Sequence, residues 1–255
     1  MKNIVFVHGF MGSARNWLPT VHRLKKEIGS KTQVNIVCID LLFHGEKRNA
    51  KKVSSALEDL FKNFNNEMLK LTGKISIVAH SFGAQPSIHF TAQNIDRVDE
   101  LILEDTSPVV SDYGLHSITK ILQETPESFE NRLDAKRYFQ KKYAPAFASF
   151  LLSNMRAKDE KRQSWQFDTQ TYLELINSAH KNPLWNEWNE IEASAHIKKF
   201  LIYGENSMHL DENSKKILFK QMPLTKKIEV HGAGHLVHAE KAQEFTNIIL
   251  KEISI

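Results

Sequence analysis

A single cysteine, Cys38, in 255 residues leaves no partner for an intramolecular disulfide and fits a reducing compartment. Long apolar runs are missing as well. No window approaches the roughly 18 apolar residues of a membrane span, and the apolar stretch Ile4–Val7 gives way to His8-Gly9 far too early for a signal-peptide hydrophobic region. The expected compartment is the cytoplasm. The 7 prolines and 10 glycines nowhere gather into a linker, no segment is of low complexity, and no internal repeat is visible, so one globular domain is expected. Charge of one sign is also scarce: 34 Lys+Arg face 30 Asp+Glu along the whole chain, for a net charge of +4. Basic pairs such as Lys141-Lys142 and Lys198-Lys199 are too short for a nucleic-acid surface, and no nucleic-acid partner is expected.

What is present is a repeated alternation. Short runs rich in Val and Ile occur at Asn3–Val7, Val34–Ile39, Ile75–Ala79, Val98–Leu103, Lys199–Tyr203 and Lys227–Val230, each the length of a buried strand. Segments with helical spacing lie between or after them, at Trp17–Ile28, Ser55–Leu71, Gly83–Gln93, Glu212–Gln221 and Ala239–Ile249. Strand alternating with helix predicts an α/β fold in which a six-stranded, all-parallel sheet has helices on both faces. From Asp112 to His196 the alternation stops; helical patterns and many aromatics remain, but no convincing strand. This interval is expected to be a helical cap, residues 112–196, inserted in a core formed by 1–111 and 197–255. Most of its aromatics are expected to pack the cap, and a few to line a cleft over the strand ends.

The chemistry-bearing residues begin with Ala79-His80-Ser81-Phe82-Gly83, which follows an apolar run and opens a helical pattern. A sharp strand-to-helix turn of the G-x-S-x-G type exposes a serine hydroxyl and demands small residues two before and two after it. Ala79 in place of the first glycine keeps that demand. Ser81 is the candidate nucleophile. His8-Gly9-Phe10-Met11-Gly12-Ser13 directly follows the first strand, so the backbone N–H groups of Phe10 and Phe82 are candidates for an oxyanion hole. The candidate general base is His235, in the glycine-rich loop His231-Gly232-Ala233-Gly234-His235 after the last strand. His231, His235 and His238 together also have the look of a metal site, yet no carboxylate or cysteine set completes a catalytic zinc sphere, and no metal is expected.

An acid must orient the base, and the turn after the next-to-last strand, where it is usually found, reads Gly204-Glu205-Asn206-Ser207. Serine occupies the acid's place. A hydroxyl can orient an imidazole but cannot stabilise an imidazolium as a carboxylate does. Asp105, Glu205 and Asp211 are the candidates, and Asp105 is favoured because it ends the strand next to the nucleophile's at the same sheet edge.

Together these residues resemble the YbfF-like esterases, a bacterial branch of the α/β-hydrolase superfamily related to mitochondrial α/β-hydrolase-domain proteins. The resemblance runs nearly end to end, through His8–Ser13, Asp40-Leu41-Leu42-Phe43-His44-Gly45, the Ser81 turn, Asp105-Thr106-Ser107-Pro108, Gly204–Ser207 and Gly232–Lys241. It implies the α/β-hydrolase fold with its cap, a triad acid at Asp105, no cofactor, and a small acyl ester or thioester of short to medium chain as substrate. The Asp40 segment lacks the arginine and asparagine usual before His44-Gly45, which bears on substrate preference. Two other functions fit the same motifs. One is a non-hydrolytic lyase like the pyruvate-eliminating enzyme of menaquinone synthesis, which shares the H-G-F-x-G-S opening. The other is a catalytically silent ligand-binding protein, suggested by Ser207.

Overall fold

The computed structural model describes residues 2–29, 33–159 and 162–254. The first half of the chain alternates β1 (Lys2–Val7), α1 (Leu18–Ile28), β2 (Val34–Ile39), α2 (Ala56–Leu69), β3 (Ile75–His80), α3 (Ala84–Gln93) and β4 (Val98–Glu104). There follow α4 (Asp112–Glu124), α5 (Arg132–Lys142), α6 (Pro145–Ser153), β5 (Met155–Ala157), β6 (Gln163–Trp165), α7 (Thr169–Lys181) and α8 (Trp185–Ala193). The alternation then resumes with β7 (Lys198–Gly204), α9 (Glu212–Gln221) and β8 (Lys226–Val230), and the chain closes with α10 (Val237–Glu240) and α11 (Ala242–Glu252). No described helix is long and apolar enough to cross a membrane.

Six strands form one sheet in the order β2-β1-β3-β4-β7-β8, every pair parallel. Both faces are apolar because alternate side chains of each strand enter different cores. Val5, Val7, Ile77 and Leu101 join Leu60, Phe64 and Ile88 of α2 and α3 on one face. Ile4, Phe6, Val78 and Ile102 meet Leu24, Phe245 and Ile249 of α1 and α11 on the other. The chain lays β2 on one side of β1 and β3 on the other, and such a reversal opens a crevice beyond the carboxyl ends of the two strands.

The interval between β4 and β7 adds no strand to this sheet, but it is not wholly helical. β5 and β6 pair antiparallel, Met155 opposite Trp165, and Phe129 bridges to Gln163. The expectation of no strand there is corrected. Each strand has only three residues and Met155-Arg156-Ala157 has no β-branched side chain, so neither period nor propensity marks it; backbone pairing forms it instead.

Each of the first four strands leaves the sheet through a non-glycine residue in the left-handed region: Met11 (φ +60°), Phe43 (+67°), Ser81 (+50°) and Asp105 (+49°). Four tight reversals thus crowd one edge of the sheet.

Candidate active site

Ser81 sits immediately beyond β3 at the start of a short 3-10 turn that leads into α3. Its left-handed backbone is what lifts the side chain out of the strand-to-helix corner. The corner is tight enough that two neighbouring glycines cannot carry a side chain in place. A Cβ on Gly83 would lie 2.5 Å from the His8 carbonyl oxygen, and one on Gly9 would lie 2.6 Å from His80 Nδ1 and 3.1 Å from Ser81 Cβ. The loops after β1 and β3 are therefore interlocked. Phe10 and Phe82 meet edge to face, ring centroids 5.0 Å apart, and both line the same cavity as Ser81. His8 anchors the first of these loops: its ring donates from Nδ1 to the Gly9 carbonyl (2.8 Å) and accepts the Leu41 N–H at Nε2 (3.0 Å).

His235 reaches Ser81 from the loop after β8. Its Nε2 is 3.1 Å from Ser81 Oγ, and its Nδ1 is 2.6 Å from Asp105 Oδ2. Donation from Nδ1–H to the carboxylate leaves Nε2 free to accept the serine proton. Asp105 is itself held by the turn after β7: the Gly204 N–H donates to Oδ1 (3.1 Å) and the Ser207 hydroxyl to Oδ2 (2.5 Å). Ser207 thus donates to the carboxylate that contacts His235. Burial is the main influence on the pair. It pushes the Asp105 carboxyl up to about 6, against the Ser207 and Gly204 hydrogen bonds, and pushes the His235 imidazole down to about 3. A neutral His235 is the form a general base requires.

The other two acid candidates are engaged elsewhere. Glu205 accepts from the Gly232 N–H (2.8 Å) and pairs with His231 (2.7 Å), and Asp211 caps α9 by accepting the Ser214 N–H (2.8 Å). The structure does not bring His231, His235 and His238 together. His238 donates from its backbone and from Nδ1 to Glu104, at 2.7 and 2.8 Å, while His80 Nε2 donates to the His235 carbonyl at 3.1 Å. Among the described residues the donor atoms that converge within 4.8 Å are those of His80, Glu104 and His238, all buried. The sequence did not single this group out, since its members lie on three separate elements. A second residue it missed is His209, whose ring stacks on His235 at 3.8 Å.

Ser81 opens into a cavity of about 820 Å³, within the range of small-molecule sites. Its walls are mostly apolar and come from both sides: Phe10, Phe82 and Leu236 from the sheet's carboxyl edge, and Ile118, Ile121 and Phe147 from the helices between β4 and β7.

A parallel sheet with a serine on a left-handed strand-to-helix corner, beside a half-buried histidine and a buried carboxylate, is the arrangement of the hydrolase class of α/β proteins. The model of the alpha/beta hydrolase family matches residues 4–248, and the chain belongs to that family. Within the family it is similar to esterase YbfF of Escherichia coli, 27% identical over 246 residues that cover 93% of this chain and 87% of that one. It is also similar to the sn-1-specific diacylglycerol lipase ABHD11 of Mus musculus, 23% identical over 259 residues, 96% of this chain and 79% of the other. Among solved structures, a marine microorganism esterase shares the fold with a TM-score of 0.73 at 21% identity, over 98% of this chain and 95% of that one. Relatives named as esterases and lipases support hydrolase activity for the chain.

Proposed function

We propose that the chain hydrolyses carboxylic esters or thioesters of small, apolar acyl groups, short to medium in length, through a covalent ester on Ser81. The observation that carries this reading is the unbroken series Ser81 Oγ, His235 Nε2, His235 Nδ1, Asp105 Oδ2, with successive contacts of 3.1 and 2.6 Å, at the floor of an apolar cavity. Ser81 Oγ attacks the acyl carbon as His235 Nε2 takes its proton, and the Phe10 and Phe82 N–H groups receive the oxyanion. The bond to the alcohol or thiol then breaks, and the leaving group takes the proton from His235. Water enters, gives its proton to His235 and attacks the acyl-serine; the acid departs and Ser81 regains its proton.

In this reading residues 112–196 act as the cap and 1–111 with 197–255 as the catalytic core. The position of Ser207 counts against a silent binding protein, since the acid it replaces is supplied by Asp105 and Ser207 supports it.

The test is hydrolysis of p-nitrophenyl esters from acetate to octanoate, and of the matching thioesters, by wild type and Ser81→Ala. Expected are turnover that vanishes with Ser81 and an acyl-serine trapped on that residue. Each added methylene accommodated in the cavity should raise kcat/KM, by about 0.8 kcal/mol at most. Absence of Ser81-dependent turnover on every ester and thioester would falsify the reading.

A further inference from the structure

His209 lies five residues beyond the end of β7, and the proposed chemistry gives it no task. Yet its ring lies nearly flat on His235, centroids 3.8 Å apart and planes 18° from parallel. Tyr113 of α4 meets His209 edge on, at 5.0 Å and 90°. The His209 N–H donates to Ser207 Oγ (3.1 Å), and the Ser207 hydroxyl donates to Asp105. One turn therefore touches both partners of the acid–base pair, through Ser207 on the carboxylate and His209 on the imidazole.

An imidazole needs such contact beside a cavity. Rotation about its Cβ–Cγ bond is broad and roughly two-fold, so the side chain does not fix its own ring plane. The His235 side chain is 22% exposed, whereas that of Asp105 is fully buried. Water that reached the Nδ1–H would compete with the carboxylate for it. His209 suits a permanent cover, because burial pushes its own imidazole down to about 3 and keeps it uncharged beside His235. Uncharged, it does not repel the imidazolium that forms when His235 takes the serine proton.

We infer that His209 is a positioning residue for the base: its ring covers the His235 imidazole, fixes the plane of the ring, and keeps water from the Nδ1–H bond to Asp105. This inference rests on the proposed roles of Ser81 and His235.

The experiment compares wild type with His209→Ala, His209→Leu and His209→Phe. Steady-state kinetics on the best p-nitrophenyl ester should show kcat lowered about 10- to 100-fold in the Ala and Leu variants, the scale expected when a reacting group is misplaced. KM should hold, and Phe, which restores a flat ring, should recover most of kcat. Proton NMR of the intact protein gives a readout independent of turnover. A low-field His235 Nδ1–H resonance, assigned by its loss in His235→Ala, should persist in wild type and His209→Phe. In His209→Ala and His209→Leu it should broaden through exchange with water. Equal kcat in all four proteins, or a resonance unchanged in the Ala and Leu variants, would overturn the inference. A raised KM with kcat intact would also overturn it, since His209 would then be a wall of the substrate pocket. Failure of the underlying reading looks different: Ser81→Ala and His235→Ala would keep their turnover.

Discussion

Placing the carboxylate at the end of β4 instead of in the turn after β7 changes the part played by the residue left in that turn. Ser207 donates to Asp105, and with the Gly204 N–H it opposes the burial that pushes this carboxyl up to about 6. The charge that holds the His235 tautomer is present above that value and lost as pH falls through it, so kcat/KM is expected to decline on the acid side near pH 6. The limb belongs to the Asp105–His235 pair as a unit. Ser207→Ala removes a contact that holds the carboxyl down, and should move the decline to higher pH. Asp105→Asn should cost kcat about 10⁴-fold, as loss of the tautomer-fixing charge does in serine triads. Glu205→Gln and Asp211→Asn should leave kcat near wild type, and pH–rate profiles of the four variants check the set. Ser81 and His235 stood out as candidates because each sits in a short glycine-marked motif, and the structure places them 3.1 Å apart. Asp105 stood out from where its strand ends and from the resemblance at Asp105-Thr106-Ser107-Pro108. The support from Ser207 was not legible, since a serine in an acid's place reads as a loss until its hydroxyl is seen on the carboxylate. His209 lay two residues past the turn with no motif around it.

Among the elements, what could be read in advance followed from burial. Strands covered on both faces must be apolar throughout, and the six Val/Ile-rich runs mark all six strands of the sheet with ends displaced by only a residue or so. The β5–β6 hairpin escaped because three-residue strands are too short to show a period. The last helix, expected from Ala239, begins instead at Ala242 after the separate turn α10. Glu240 explains the break: its carboxylate accepts from the Gly234 N–H (2.7 Å) and the Leu236 N–H (3.3 Å), folding this segment back onto the His235 loop. The fit between the loops after β1 and β3 invites a test at this scale. In Gly83→Ala the new methyl would meet the His8 carbonyl at 2.5 Å. The corner must shift, with an expected loss of about 1–3 kcal/mol of stability and of about 100-fold in kcat. Thermal denaturation and esterase kinetics on the same preparation measure both.

Across the molecule, the four left-handed residues after β1 to β4 all lie along one edge of the sheet. Outside glycine, such a backbone costs about 1–2 kcal/mol per residue, and among the described residues it is concentrated where the chemistry is proposed. Heat resistance and turnover are then set against each other at a single atom. Ser81→Ala keeps a Cβ and with it the unfavourable backbone, whereas Ser81→Gly releases it; both lack the proposed nucleophile. The glycine variant is expected to melt above the alanine variant by about 2–4 °C for each kcal/mol relieved, less the chain entropy that glycine adds to the unfolded state. Calorimetry of the two proteins measures the difference. A protein of this kind selected for survival at high temperature alone would therefore be drawn toward glycine at position 81 and, on the proposed chemistry, would gain that endurance as an inert copy of itself.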